Sequence, residues 1–250
     1  GRSTAKISRF ANWCQRGAAP VADRPYTLLS CGMSIDGYLD SAMVSRLPLS
    51  NEADFDRVDA VRASCDAIMV GAATIRNDNP RLLVRSPIRR ADRVARGLRP
   101  SPIKVTVTGC ARLDAAADFF TAGDAEKLIY CSSPVLRQAR YRFGSVATVL
   151  DGGEPVDMAR VSADLADRGV RRLMVEGGGT LHTQFLTADL VDELHLVIAP
   201  LFVGDSRASR FVGDGRFPWN AQRRATLAEV RQIGDVVLLR YALSSRFQAD

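Results

Sequence analysis

The chain has few lysines, few histidines and no paired cysteines, and each shortage removes a class of function. No stretch approaches ~18 consecutive apolar residues, so no membrane-spanning helix is expected. The first residues carry no apolar core of the kind an export signal needs, and the expectation is a cytoplasmic chain. Cys14, Cys31, Cys65, Cys110 and Cys131 are odd in number and form no C-x-x-C pair. They read as small core residues in a reducing compartment, which argues against a disulfide framework. The two histidines, His182 and His195, stand at no zinc spacing from any cysteine, so no metal is expected. His195 falls in the alternating run Val191 to Ile198 and reads as a strand residue.

Lysine occurs only at Lys6, Lys104 and Lys127, so the net charge of +6 rests on arginine. The arginines are spread along the chain without interleaved aromatics, which speaks against a nucleic-acid stacking surface. An anionic small molecule suits them better, because guanidinium binds phosphate bidentately. A hydrophobic content of 46% and a charged content of 25% belong to a globular chain, and its 250 residues could form one large domain or two small ones.

The most informative stretch is Val170-Arg171-Arg172-Leu173-Met174-Val175-Glu176-Gly177-Gly178-Gly179-Thr180-Leu181-His182. It reads as a buried strand, a glycine turn and a helix running through Phe185 and Leu186. Exposed N–H groups and the helix dipole at such a turn favour an anion. Glu176 stands at the turn's mouth, placed to accept hydrogen bonds from a ligand. A purely structural strand–helix turn with a solvated glutamate fits the same residues, and both readings stay open at this point.

Residues 1 to 24 are polar, basic and aperiodic, and are expected to form an arm with a short helix near Ile7 to Trp13. The rest, 25–250, shows no composition break and is expected to be a single domain. Strands are expected at Tyr26–Cys31, Cys65–Gly71, Ile103–Thr108, Lys127–Cys131, Val146–Leu150 and Val191–Ile198. A closing hairpin of Ala225–Ile233 and Asp235–Ala242 turns at Gly234. Ser50 or Asn51 caps a helix whose buried stripe is expected to be Phe55, Val58 and Val61, with Ala60 as a further candidate. A short helical turn follows at Ala72–Arg76, and Val156–Arg168 is an amphipathic helix. Asn77-Asp78-Asn79-Pro80 reads as a turn, and the Arg, Ala and Pro of Ser86–Arg99 read as a surface loop. Alternating strands and helices imply an α/β domain with a mostly parallel sheet. Ligands bind outside the carboxyl ends of such strands. Asp36, Gly71 to Asp78, Thr108-Gly109 and Glu176 to Thr180 all follow strands and are expected to share one face.

Several segments in fixed order then carry a resemblance: Gly32-Met33-Ser34-Ile35-Asp36-Gly37, Asp66 to Gly71, Thr74 with Asn77 to Leu82, Val175 to Leu181, and Leu190 to Leu194 with Ile198-Ala199-Pro200. From about Pro25 to Tyr241 the chain resembles the reductases of riboflavin biosynthesis, and among them the stand-alone archaeal diaminopyrimidine reductases. The zinc motif of the bifunctional deaminase–reductases is absent. The resemblance implies a dihydrofolate-reductase-like α/β fold with a C-terminal antiparallel hairpin, a homodimer, and NADPH as cofactor. It implies a phosphorylated pyrimidine as substrate, whose ribosylamino group becomes ribitylamino by hydride transfer to C1′. Thr74 and Asp78 then match cofactor positions, Gly177, Gly178, Gly179, Thr180 and Leu181 match the diphosphate loop, and Thr108 and Gly109 the rim after the third strand. Arg62, Leu82, Arg85 and Glu176 match substrate positions, and Asp36 is a further substrate candidate. Arg62 and Arg85 are expected on the substrate phosphate, Glu176 on the pyrimidine, and Asp78 is the catalytic carboxylate candidate. Asp36 and Asp78 can equally be turn residues.

Two positions depart from the bacterial pattern. Ser30 replaces a lysine, and Gly109 replaces a serine that faces the cofactor 2′-phosphate; Thr108 or Arg112 could substitute. A reductase of dihydrofolate or of a specialised pyrimidine or pteridine, and a non-catalytic nucleotide-binding module, are the rival readings.

Overall fold

The computed structural model describes residues 23–39 and 49–249. The expected helix at Ile7–Trp13 and most of the expected arm lie outside the described residues. In chain order the elements are β1 (Tyr26–Ser34), α1 (Glu52–Ala63), β2 (Ala67–Gly71), α2 (Ala72–Asp78) and α3 (Pro87–Ala95). Next come β3 (Ile103–Thr108), α4 (Asp118–Thr121), β4 (Lys127–Cys131), α5 (Leu136–Phe143), β5 (Thr148–Asp151) and α6 (Met158–Asp167). The chain closes with β6 (Arg172–Val175), α7 (Gly179–Thr187), β7 (Glu193–Ala199), β8 (Thr226–Ile233) and β9 (Val236–Ala242).

All nine strands join one sheet in the order β5-β4-β3-β2-β6-β1-β7-β9-β8. The pairings through β7 are parallel, and β9 and β8 add an antiparallel hairpin at the edge. This is the mixed, mostly parallel sheet with a C-terminal hairpin that the sequence led one to expect. Near-continuous apolar strands such as Ala67–Gly71 form because parallel strands are covered on both faces. One face packs Leu29, Met69, Val105 and Val175 on Leu165 of α6 and Phe185 of α7. The other packs Ile68, Val70 and Ile129 on Phe119, Phe120 and Phe143. Each such side chain contributes about 1.5–3 kcal/mol by leaving water.

Three expectations fail here. Ser86–Arg99 is not a loop: α3 occupies Pro87–Ala95, with the Ser86 side chain accepting from the Arg89 N–H and Pro87 at the first helical position. Asn77 and Asp78 are the last residues of α2, and the turn comes one residue later, at left-handed Asn79. The buried residues of α1 are Asp54, Asp59 and Ala63, whereas Phe55 is 43% exposed. Val58 and Val61 are only partly buried, against Leu28, Cys65 and Met174, and Ala60 is exposed. The other flank of α1 faces a cleft rather than the sheet. Cys110 is likewise exposed, unlike buried Cys65 and Cys131. No helix among the described residues is long and apolar enough to cross a membrane.

Candidate active site

A cleft of about 1360 Å³ opens at the carboxyl ends of β1, β2, β3 and β6. One wall is built by the glycine turn. The Glu176 N–H donates to the Met69 carbonyl (2.9 Å) and the Gly71 N–H to the Gly177 carbonyl (2.7 Å), so β2 holds the turn where β6 ends. Gly177 has φ +120°, a region that side chains avoid, and the Gly177–Gly178 peptide is cis. A Cβ on Gly179 would stand 2.3 Å from the Arg210 carbonyl oxygen, so only glycine lets that loop cross the start of α7. The His182 N–H is bonded back to the Gly178 carbonyl (3.0 Å). Among the described residues the N–H groups of Gly179, Thr180 and Leu181, which precede it, have no acceptor outside the helix, and such first-turn donors are where an anion binds. Gly178 through Leu181 line the cleft, while Gly177 lies behind it.

Facing this turn is α2, which starts at Gly71. Thr74 lines the cleft opposite Gly178; its hydroxyl oxygen is 3.5 Å from where a Gly178 Cβ would stand. Asp78, half-buried in the last turn of α2, also lines it. The rim after β3 is formed by Thr108, Gly109 and Cys110. The Thr108 hydroxyl accepts from the Ala111 N–H (3.0 Å), and the Ser132 hydroxyl donates to the Gly109 carbonyl (2.6 Å). Arg112 donates from Nε to Cys110 Sγ (3.4 Å) and lowers its thiol pKa.

The other end of the cleft belongs to α1 and the segment before α3. Arg62 grips Glu176 with both prongs, Nε to Oε2 at 3.0 Å and Nη2 to Oε1 at 2.8 Å. Side-chain exposure is 18% for Arg62 and 12% for Glu176, so the pair is sheltered. The Arg62 guanidinium is thus committed to Glu176 and is not left for a phosphate. Arg85 lines the cleft, is exposed, and lies 6.0 Å over the Phe55 ring. Its side chain has no carboxylate partner among the described residues.

Two further expected site residues, besides Gly177, do not line the cleft. Asp36 does not line the cleft; its carboxylate accepts from the Ser34 hydroxyl (2.6 Å) and from the Val203 (3.0 Å) and Gly204 (2.8 Å) N–H groups. These bonds, the Ser34 hydroxyl first, hold its carboxyl down at about 2. It is a turn residue that ties the end of β1 to the loop after β7. Leu82 is 2% exposed and packs with Phe119 and Phe120, so its side chain is core and does not line the cleft. Conversely, Asp54, Arg57, Asp59 and Ser50 line the cleft unforeseen. Asp54 accepts from the Ser50 hydroxyl and from Arg57 Nε (2.7 Å), and Arg57 Nη1 reaches His195 Nδ1 (3.3 Å). The signal was present in the sequence as acidic residues one helical repeat from an arginine, a pattern that usually marks a solvated face.

Known proteins align with this arrangement over nearly its whole length. The profile of the RibD C-terminal domain matches residues 25–239. The 2,5-diamino-6-ribosylamino-4(3H)-pyrimidinone 5′-phosphate reductase of Archaeoglobus fulgidus is 34% identical, covering 90% of this chain and 99% of its own. The protein of the same name from Methanothermobacter thermautotrophicus is 34% identical over 88% and 99%. Among solved structures, a pyrimidine reductase-like protein of Corynebacterium diphtheriae superposes with a TM-score of 0.74, at 23% identity, over 87% of this chain and 91% of that one. The profile match over more than half of the residues, together with these relatives, places the chain in the RibD C-terminal domain family.

Proposed function

We propose that the chain is an NADPH-dependent reductase of a phosphoribosylaminopyrimidine, the substrate class in the names of its 34% identical relatives, and that it acts in riboflavin biosynthesis. The observation that carries the reading is one cleft with an anion cradle at one end and the Glu176–Arg62 pair and Arg85 at the other. The cradle fits a dinucleotide diphosphate, because a Gly178 Cβ would project into otherwise open cleft opposite Thr74. NADPH would supply the hydride that adds to C1′ of the ring-opened imine. The protein's work is to hold the two reactants in register and exclude water. Glycine-turn N–H groups and Thr74 hold the cofactor, with Thr108 and Gly109 at its adenosine rim. Glu176, fixed by Arg62, accepts hydrogen bonds from the pyrimidine's N–H groups, and Arg85 takes the phosphate. Asp78 orients the nicotinamide or delivers the proton that the imine nitrogen acquires as C1′ is reduced.

The reading carries with it a single reductase domain over 25–250, a cytoplasmic location and a homodimer. The exposed apolar residues Leu227 and Val230 on edge strand β8 support a partner subunit. The test is NADPH oxidation with the 2,5-diamino pyrimidine, its deaminated counterpart and dihydrofolate offered separately. Turnover of one pyrimidine supports the assignment. Reduction of dihydrofolate alone, or cofactor binding without turnover, overturns it.

A further inference from the structure

We infer that Asp59 is a positioning residue that aims Arg85 into the cleft, and so governs affinity for the phosphate end of the substrate. The inference rests on the reading of Arg85 as the phosphate ligand. Asp59 lies in the middle of α1 and is 5% exposed. One carboxylate oxygen accepts from the backbone N–H of Arg85 at 2.6 Å. The other accepts from the Ser86 N–H at 3.2 Å and from Arg89 Nη1 at 2.9 Å. Burial pushes this carboxyl's pKa up, yet the Arg85, Arg89 and Ser86 donors outweigh it and hold the group below the ordinary carboxylate value.

Arg85 belongs to no strand or helix; with Ser86 it closes the irregular stretch between α2 and α3. Its guanidinium lies 6.0 Å over the Phe55 ring, and among the described residues no hydrogen bond or ion pair holds the tip of the side chain. What fixes its direction is the backbone, whose N–H donates to Asp59 and whose carbonyl accepts from Arg90 Nη1 (2.5 Å). The same carboxylate steadies Ser86, whose hydroxyl caps α3, and Arg89 one turn into α3. Arg89 also reaches Asp56 on α1 (2.7 Å), so two acids of α1 clasp the start of α3. Arg90 holds the carbonyls of Val84 and Arg85, and Asp59 is the anion that ties the Arg85 and Ser86 N–H groups of this junction to α1. Charge-assisted bonds of this kind are the strong ones, and losing them frees the loop rather than removing a ligand.

Asp59→Asn keeps the shape and one acceptor oxygen while removing the charge. The assay is steady-state reduction of the phosphorylated substrate and of its dephosphorylated nucleoside, with inorganic phosphate as competitor. The expected result is KM for the phosphorylated substrate raised about ten-fold or more, kcat changed by less than about two-fold, and weaker inhibition by phosphate. KM for the nucleoside stays unchanged. A merely structural role would shift both substrates together, and that outcome, or no change in either, overturns the proposal. Arg85→Ala separates the two layers. If it fails to discriminate the phosphorylated from the dephosphorylated substrate, the phosphate reading of Arg85 falls. If it discriminates and Asp59→Asn does not, only the positioning role falls.

Discussion

Adjacent glycines in the turn before α7 should respond oppositely to the same methyl group. A Cβ at Gly179 would meet the Arg210 carbonyl oxygen at 2.3 Å, and backbone cannot swing away as a side chain can. Gly179→Ala must therefore displace the loop at Arg210 or the start of α7. The expected cost is ~1–3 kcal/mol, the usual range for overpacking. Gly178 is different. Its φ of −85° is extended, not left-handed, so alanine brings no left-handed strain there. Its Cβ would meet only Thr74 Oγ1, at an ordinary 3.5 Å. Fewer unfolded conformations even favour alanine by ~0.4–1 kcal/mol where the backbone suits it. Gly178→Ala should thus keep the wild-type urea midpoint. Its methyl group nevertheless projects where a diphosphate would approach the α7 N–H groups. Losing one or two charge-assisted bonds of ~1.5–3 kcal/mol weakens NADPH binding by at least ten-fold. Titration calorimetry with NADPH, run beside urea melts of both variants, makes the comparison. Wild-type NADPH affinity in a folded Gly178→Ala protein would refute the diphosphate cradle and leave the turn a structural joint.

Arg62→Ala should destabilise the fold by about 3 kcal/mol, because it strands a sheltered Glu176 carboxylate. The double variant with Glu176→Gln should recover part of that loss in urea melts, whereas recovery of none would mean the arginine acts on something else. Arg112→Ala should lower the preference for NADPH over NADH measured as a ratio of dissociation constants, since the Arg112 guanidinium sits on Cys110 Sγ (3.4 Å) at the rim of Thr108 to Cys110. An unchanged ratio would remove Arg112 from the 2′-phosphate. The pH dependence of stability should carry the signature of Glu193. Burial raises its pKa, but the hydrogen bond and charge of His195 and the charge of Arg240 outweigh that and bring the folded value to about 2 from an ordinary 4.5. A depressed folded pKa means the stabilisation is complete above about 4.5 and drains away as pH falls towards about 2. Wild type should therefore exceed Glu193→Gln near neutrality and converge on it across that window; parallel curves would contradict the linkage.

What was legible in the sequence was local. Val170 to Leu186 declared its strand, turn and helix because an apolar run, three glycines and a helical repeat stand in direct succession. Asp36 and Asp78 both follow strands, and nothing near either one distinguishes them. They part company only because Val203 and Gly204, far along the chain, close on Asp36. α3 escaped a reading by hydrophobic period because its apolar residues face water: Ile88 is 82% and Val94 54% exposed. Its anchor is instead Arg93, 3% exposed, donating to the carbonyls of Ala63, Cys65 and Arg99.

The misreading of α1 has the same root, since its inward residues are Asp54 and Asp59, satisfied by arginines or by backbone N–H groups. Arginine is being used here as an interior residue. Arg24 on Asp192, Arg57 on Asp54, Arg62 on Glu176 and Arg240 on Glu193 are all sheltered pairs. A long apolar stem and five donors let arginine fill space and satisfy carbonyls or carboxylates at once. A net charge of +6 therefore says little about a polyanion-binding surface, because much of the positive charge is internally spent. The informative arginines are those that line the cleft without an acid partner among the described residues; Arg85, held by its backbone, is one where an anionic substrate has something to gain.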